Sequence, residues 1–191
     1  MPLHFKRNEY LPTDRNQLLH IQSGYVRTCT LTWEGEIVTL GFWSVGSVIG
    51  QRLAQMESFQ AQCLSEVVVD LLGDDYVISQ AQIFAHSRQL TDLIKINHCR
   101  EVKLRLLQFF CWLAMRFGEQ DANSHLYKIP MNLTQTEIAE SIGITRVTVA
   151  RLLKKLESDG MAKWTPREKW LSPVAFQRVP QMLPSINKPN S

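Results

Sequence analysis

The sequence predicts an α+β fold in which an N-terminal antiparallel β-roll is followed by a connecting helical region and a C-terminal winged helix-turn-helix. Three observations predict this order. Short strand-like runs alternate with turn residues over 1–79, apolar residues recur at helical spacing over 80–119, and two capped helices precede a hairpin over 120–179. The Pro-rich stretch 180–191 has no periodicity, so we expect a disordered tail there.

The β-roll is predicted from strand-like runs over 18–21, 25–31 and 36–40, and from a Val-rich run over 63–72. Turn-forming residues separate these runs, as at Gly24. Short strands joined by tight turns pair in antiparallel fashion, which is typical of a sandwich or roll.

The connecting region contains one clear helical pattern, which ends before Gly118. Its apolar positions recur every three or four residues: Val102, Leu106, Phe109, Phe110, Leu113 and Phe117. Upstream, Leu90, Leu93 and Ile94 begin a less regular stripe that polar residues interrupt over 97–100. The two stretches can therefore be separate helices.

The segment 134–160 carries the spacing of a helix-turn-helix. Thr134 and Glu137 form a T-x-x-E capping box, which predicts a helix that begins just after Thr134. Ala139 is small enough to let two helices approach closely, and Gly143 ends the first helix. Thr145 is the predicted N-cap of the second helix.

One face of the second helix is apolar, through Val149, Leu152, Leu153 and Leu156. Its first two turns expose a different set of side chains, Arg146, Val147, Thr148 and Arg151, and this end is expected to enter the DNA major groove. The alternative is an ordinary helical hairpin with scattered surface arginines.

Two short apolar runs, 162–165 and 169–172, follow the second helix and predict a β-hairpin around Pro166-Arg167-Glu168. A hairpin at this place makes the winged form of the motif. Lys163, Arg167 and Lys169 are candidates to contact a phosphate strand; the alternative is a solvated hairpin with incidental charge.

Composition is consistent with DNA binding. Residues 128–178 hold nine Lys/Arg against five Asp/Glu, whereas the rest of the chain holds twelve against thirteen. No apolar run approaches a membrane span, and residues 1–12 lack the apolar region of a secretory signal, so a cytoplasmic protein is expected.

Neither a metal nor a cofactor is expected. The four cysteines are scattered singly, at Cys29, Cys63, Cys99 and Cys111, without close C-x-x-C pairs. A metal-dependent β-roll enzyme would need clustered His and Glu ligands, and the strand-like runs of the roll offer only His20 with separated carboxylates. We therefore do not expect an enzyme.

The order of these parts resembles the cyclic-AMP receptor protein and FNR superfamily of bacterial transcription regulators. Residues 22–26 are similar to its hairpin glycine motif, 41–50 to its glycine-punctuated phosphate cassette, and 138–156 to its helix-turn-helix. Residues 145–151 look most like the recognition helix of the cyanobacterial nitrogen regulators in this superfamily. The resemblance implies a homodimer on a palindromic double-stranded DNA site, with RNA polymerase as a further partner, and it hints at nitrogen or sulfur assimilation genes.

The sequence departs from the cyclic-AMP-binding members at the ligand residues. Gly50 is followed by Gln51 where those members have a Gly-Glu pair, and no Arg or Lys occurs between Leu53 and Ser87 to balance a buried phosphate. We therefore expect operator binding without cyclic AMP. An effector-free regulator and a sensor of another small molecule both stay open.

The resemblance also distributes roles over the candidate residues. Arg146 is expected to contact a guanine, Arg151 a base edge or phosphate, and Val147 a thymine methyl group. Thr148 lies in the same exposed set. The expected phosphate contacts are Thr134, Gln135, Thr145 and Lys154, and the dimer seam is assigned to Leu90, Leu93 and Ile94. The alternative function is a small-molecule-sensing module whose helix-turn-helix contacts protein.

Overall fold

The computed structural model describes residues 1–14, 17–56, 58–165 and 168–179. The chain forms two compact units, one ending at Leu93 and the other beginning at Ile94. No helix in these described ranges is long and apolar enough to cross a membrane.

The first unit is built from two antiparallel sheets. The strands are β1 (Leu3–Phe5), β2 (Leu18–Ser23), β3 (Val26–Leu31), β4 (Ile37–Trp43), β5 (Val48–Ile49), β6 (Gln60–Cys63) and β7 (Val67–Leu72). One sheet has the order β1-β7-β2-β5 and the other the order β4-β3-β6.

Both sheets contribute side chains to one hydrophobic core. Ile21 of β2 and Val69 of β7 come from the first sheet, while Val26 of β3 and Trp43 of β4 come from the second. Alternation along each strand directs these residues to one face, which is why a run of short strands can bury a continuous apolar interior.

The turn between β2 and β3 requires glycine at position 24. Gly24 has a φ of +89°, and an added Cβ would lie 2.2 Å from the carbonyl oxygen of Glu66. Both the backbone conformation and the close approach exclude a larger residue. The glycine that marked the turn in the sequence therefore has a steric reason.

Two helices belong to this region, α1 (Gln51–Ala54) and α2 (Gln80–Asn97). The Gln89 side chain of α2 bonds both backbone groups of Phe42, accepting from its N–H at 2.8 Å and donating to its carbonyl at 2.6 Å. His86 stacks on Trp43 with ring centroids 4.0 Å apart, and its Nε2 lies 2.9 Å from the carbonyl oxygen of Val48. The first part of α2 is thereby fastened to the roll.

The second unit contains helices α3 (Val102–Phe117), α4 (Gln135–Ile142), α5 (Arg146–Ser158) and α6 (Pro173–Arg178). Its sheet has the antiparallel order β10-β11-β9-β8, formed by β8 (Glu119–Gln120), β9 (Tyr127–Lys128), β10 (Ala162–Trp164) and β11 (Lys169–Leu171). Phe110 of α3 is fully buried and stacks on Trp164 of β10, with centroids 4.2 Å apart.

The α+β fold class predicted from the sequence is confirmed, and α3 has the bounds that its periodicity indicated. Two details differ. The run 63–72 is divided by a turn between β6 and β7, and β1 was not predicted. The domain limits 1–79, 80–119 and 120–179 stay predictions, and the tail 180–191 lies outside the described residues.

Candidate nucleic-acid interface

The first helix of the motif, α4, begins at a complete capping box. The Thr134 hydroxyl accepts from the Glu137 N–H at 3.1 Å, and the Glu137 carboxylate accepts from the Thr134 N–H at 2.6 Å. Two backbone donors at the helix start are thereby satisfied by the pair of residues that predicted it. Thr134 is exposed, and the neighbouring Gln135 is half-buried.

The turn between α4 and α5 depends on Gly143, which has a left-handed φ of +62°. The carbonyl oxygen of Ala139 accepts from the Gly143 N–H and from the Ile144 N–H, the latter at 3.1 Å. Such a left-handed residue ends a helix and redirects the chain within two residues. The second helix can therefore start at Arg146.

The second helix, α5, is capped by Thr145, whose hydroxyl accepts from the Thr148 N–H at 3.2 Å. The hydroxyls of Thr145 and Thr148 also hydrogen-bond each other at 2.9 Å. Thr145 is exposed and Thr148 is half-buried. The pair closes the first turn of the helix, so its hydroxyl groups already have partners before any DNA is bound.

The two faces of α5 differ as the sequence predicted. Val149, Leu153 and Leu156 are buried in the unit. Arg146, Val147, Arg151 and Lys154 are exposed, and Val147 has 77% of its surface accessible. Val147, Arg151 and Lys154 are four and three residues apart, which is the helical repeat, so they form one stripe along the helix. Arg146 lies beside the start of this stripe.

The far end of α5 is held by charge. Asp159 lies 2.6 Å from Nζ of Lys103 on α3 and 2.9 Å from Nζ of Lys155. The hydrogen bond from Lys103, followed by that from Lys155, lowers the pKa of the Asp159 carboxyl. Lys103 and Lys155 therefore form salt bridges within the protein.

Two side chains that the sequence analysis did not single out hold the end of α4. Asn97 donates from Nδ2 to the carbonyl oxygen of Ser141 at 3.3 Å. Arg105 donates from Nη1 to the carbonyl oxygen of Ile142 at 3.1 Å and from Nε to that of Cys99 at 3.0 Å. Ser141 lies 44 residues after Asn97 in the sequence, and Ile142 lies 37 residues after Arg105, so no local pattern could indicate these contacts.

The predicted wing exists as the β10–β11 hairpin, but its three basic candidates differ. Lys163 is exposed and lies 3.0 Å from the Glu168 carboxylate, whose pKa it lowers, chiefly through their hydrogen bond. Arg167 lies outside the described residues. Lys163 is the described wing cation that a phosphate strand could reach.

The prediction that Lys169 contacts a phosphate strand is wrong, because this side chain is buried. Its residue surface is only 4% exposed, and its Nζ donates to Oδ1 of Asn132 and to the carbonyl oxygen of Thr165. The ammonium also lies 5.4 Å from the ring centroid of Trp164. Strand pairing directs this side chain into the base of the wing, so it braces the hairpin and does not face a phosphate.

The predicted dimer seam also needs correction. Leu93 is 3% exposed and Leu90 packs against the core of the roll, so these residues are used within the chain. Ile94 is 56% exposed. The α2 stripe that is accessible runs through Phe84, Ser87, Thr91 and Ile94. The apolar residues of the sequence stripe therefore belong to two different faces of the helix.

Comparison with known proteins agrees with this geometry. Residues 104–172 match the Crp-like helix-turn-helix domain family. The regulatory protein CysR of Synechococcus elongatus is 34% identical over 157 residues, which cover 81% of this chain and 75% of CysR. The chain belongs to the CRP/FNR family of transcription regulators.

Two more distant relatives are also regulators. Electron transport regulator A of Shewanella oneidensis is 27% identical over 75% of this chain, and the nitrogen fixation regulation protein FixK of Azorhizobium caulinodans is 26% identical over 73%. The matched region spans 62% and 61% of these proteins, respectively.

Solved structures share the fold. A CRP/FNR-family transcriptional regulator from Thermus thermophilus superposes with a TM-score of 0.74 at 16% identity, covering 93% of this chain and 97% of that one. FixK2 from Bradyrhizobium japonicum gives a TM-score of 0.70 at 16% identity, covering 93% and 94%.

The family resemblance seen in the sequence is thus confirmed. This CRP/FNR regulator has a DNA-binding helix-turn-helix, and its relatives are regulators of transcription, not enzymes.

Proposed function

We propose that this regulator binds an inverted-repeat DNA operator as a homodimer, with α5 in the major groove of each half-site. The observation that carries the proposal is the exposed start of α5. Arg146, Val147, Arg151 and Lys154 face outward from a helix whose opposite face is buried and whose start follows a tight glycine turn. An α-helix presented in this way fits the width of the major groove.

The exposed side chains suit distinct contacts. The planar Arg146 guanidinium can donate two parallel hydrogen bonds to a guanine, and Val147 can contact a thymine methyl group. Arg151 lies one turn further along and can reach a base edge or a phosphate. Thr134 and Gln135 at the start of α4, together with Lys154, supply the phosphate contacts that set the register.

We propose that the second copy of the chain packs against the accessible stripe of α2. Phe84, Ser87, Thr91 and Ile94 are separated by three, four and three residues, which is the repeat of a two-helix seam. Ser87 and Thr91 are small, and the Thr91 hydroxyl donates to the Ser87 carbonyl at 2.9 Å, so its polar group has a partner within the helix. A second α2 can therefore pack closely along this stripe.

Cyclic AMP is not required in this proposal. Gln51 occupies the position of the ribose-binding acid, and its amide donates to the Met56 carbonyl at 2.9 Å. Trp43 and Phe42 are buried in the roll, and Trp43 donates from Nε1 to the Thr28 hydroxyl at 2.9 Å. Side chains in and next to the glycine-punctuated cassette thus form hydrogen bonds within the protein.

The regulator acts in the cytoplasm and contacts RNA polymerase from its bound site. We place its targets among nitrogen or sulfur assimilation genes, on the likeness of residues 145–151 to nitrogen regulators and on FixK, whose name refers to nitrogen fixation regulation.

Selection from a random-sequence DNA pool tests the operator. The expected product is an inverted repeat with half-site centres roughly 34–36 Å apart, because two-fold protein symmetry requires a matching palindrome. Single half-sites bound with full affinity by a monomer would refute the dimeric reading.

Two substitutions then test the groove assignment. Arg146→Ala should weaken operator binding by about 1–3 kcal/mol while nonspecific binding changes little. Lys154→Ala is the matched control, since loss of a phosphate contact should weaken binding to all sequences and reduce the salt slope by about one. If Arg146→Ala discriminates sites as well as the native protein, Arg146 is not in the groove.

The seam is tested by Phe84→Glu combined with Ile94→Glu, measured by sedimentation equilibrium. We expect monomers with a folded second unit, because buried like charges from both copies would face each other across the seam. Val45→Glu places an acid at an exposed apolar residue that is not part of the α2 stripe and should leave the dimer intact. A flat dependence of DNA affinity on salt would instead favour a small-molecule-sensing module whose helix-turn-helix contacts protein.

A further inference from the structure

We propose that Arg105 and Asn97 are positioning residues that set the recognition helix by holding the carbonyl end of α4. This inference rests on the proposed DNA-binding function and adds to it two residues that are not expected to touch DNA. They come from the start of α3 and the last turn of α2, and both reach backbone oxygens immediately before the glycine turn.

Arg105 joins two segments through one planar group. Its Nε donates to the Cys99 carbonyl in the α2–α3 turn, and its Nη1 donates to the carbonyl of Ile142, the last residue of α4. A guanidinium has fixed donor directions, so its two bonds fix the α4 end relative to the α2–α3 turn. A lysine in its place would keep the charge but would lack the planar group that directs two donors at these separate carbonyls.

Asn97 holds the neighbouring carbonyl of Ser141. The amide nitrogen must face this oxygen, because the opposite amide orientation would place two acceptors together. Ser141 and Ile142 are among the final residues of α4, whose carbonyls have no partner within the helix. The two side chains therefore supply hydrogen bonds that the helix itself cannot.

The charge at this place is favourable as well. A helix carries partial negative charge at its carbonyl end, so the Arg105 cation stabilises the α4 terminus beyond the hydrogen bond itself. Arg105 is half-buried, which limits competition from water.

The position of α5 follows from the position of these two carbonyls. Only Gly143, Ile144 and the Thr145 cap separate Ile142 from Arg146. Movement of the α4 end would therefore shift the side chains that read DNA. Because sequence-specific contacts need close geometry while nonspecific phosphate attraction does not, loss of the clamp should reduce specific binding selectively.

The test uses the full chain with Arg105→Met, which keeps most of the side-chain stem, Arg105→Lys, which keeps the charge, and Asn97→Asp, which keeps the shape but has no donor. Arg100→Met is the matched control, because Arg100 is an exposed arginine of the same turn and its loss removes the same charge. Affinities are measured for the selected operator and for a scrambled duplex.

We expect Arg105→Met to weaken operator binding about tenfold, which corresponds to the loss of the one hydrogen bond, of its two, that holds the Ile142 carbonyl. Arg105→Lys should recover part of this loss, and Asn97→Asp should weaken binding several-fold. Binding to the scrambled duplex should change no more than it does for Arg100→Met. Equal losses on both duplexes would make Arg105 a phosphate contact and overturn the proposal.

Amide hydrogen exchange without DNA provides a second measurement. The Gly143 and Ile144 N–H groups should exchange about tenfold faster in Arg105→Met and Asn97→Asp, with Phe110 in α3 unchanged, since the opening is local. Unchanged exchange at the turn, or equal acceleration at Phe110, would overturn the proposal. If the native protein prefers no DNA sequence, the proposed function fails while the exchange data still decide whether the clamp exists.

Discussion

The contrast between the two wing lysines gives a quantitative prediction. Lys169 is buried, bonds Asn132 and lies over Trp164, whereas Lys163 is exposed and pairs with the exposed Glu168. Replacing each lysine by methionine removes the ammonium and keeps most of the stem. The same substitution should therefore lower stability at Lys169 and change the salt dependence of DNA binding at Lys163.

For Lys169→Met, the lost hydrogen bond to a charged group is worth about 1.5–3 kcal/mol, and the lost contact with the indole adds to it. Methionine no longer buries a charge, which offsets part of this cost, so we expect the free energy of unfolding to fall by about 1–2 kcal/mol. For a chain of this size the melting temperature should fall by roughly 2–4 °C per kcal/mol. The slope of DNA affinity against salt should stay unchanged.

For Lys163→Met, the lost ion pair with Glu168 is exposed and screened by solvent, so the melting temperature should hardly change. The slope of log affinity against log salt should decrease in magnitude by about one, because the substitution removes the phosphate contact that we propose for Lys163. Urea or thermal unfolding and DNA titrations at several salt concentrations measure both quantities. A stable Lys169→Met protein with a reduced salt slope would refute the assignment of Lys169 to the base of the wing.

Three further outcomes are expected. Thr134→Ala removes the capping box of α4 and should lower the free energy of unfolding by about 1 kcal/mol, measured by urea titration; no change would mean that the box is not formed in solution. Burial lowers the pKa of His86 below its usual 6.5, so the unfolded chain binds a proton more readily than the folded chain. The contribution of His86 to stability should be complete above about pH 6.5 and should decline as the pH falls below it. Melting curves at several pH values measure this profile, and His86→Gln should flatten it. Burial raises the pKa of the Cys63 and Cys111 thiols to about 12, whereas Cys99 is half-exposed. A thiol reagent at neutral pH should therefore label Cys99 first. A fast phase of labelling that survives Cys99→Ser would contradict this prediction.

Local signals in the sequence predicted the helix-turn-helix closely. The Thr134–Glu137 capping box, the left-handed Gly143 and the Thr145 cap each involve atoms within about five residues of one another. Such interactions depend on backbone geometry that neighbouring residues determine by themselves. The helix bounds and the exposed side chains of α5 could therefore be inferred before the fold was known.

Burial, in contrast, depends on partners that are distant in sequence. Lys169 looked like a wing cation until its bond to Asn132, 37 residues earlier, placed it inside the hairpin base. Leu93 and Ile94 are adjacent in one apolar stripe, yet only packing decided that Leu93 is buried and Ile94 exposed. Arg105 carried no sequence signal, because its role arises where the end of α4 comes to lie beside α3. The sequence alone determined the two helices of the helix-turn-helix and the residues that cap them. The tertiary structure decided which cations and apolar groups are accessible, because accessibility is a property of the assembled surfaces.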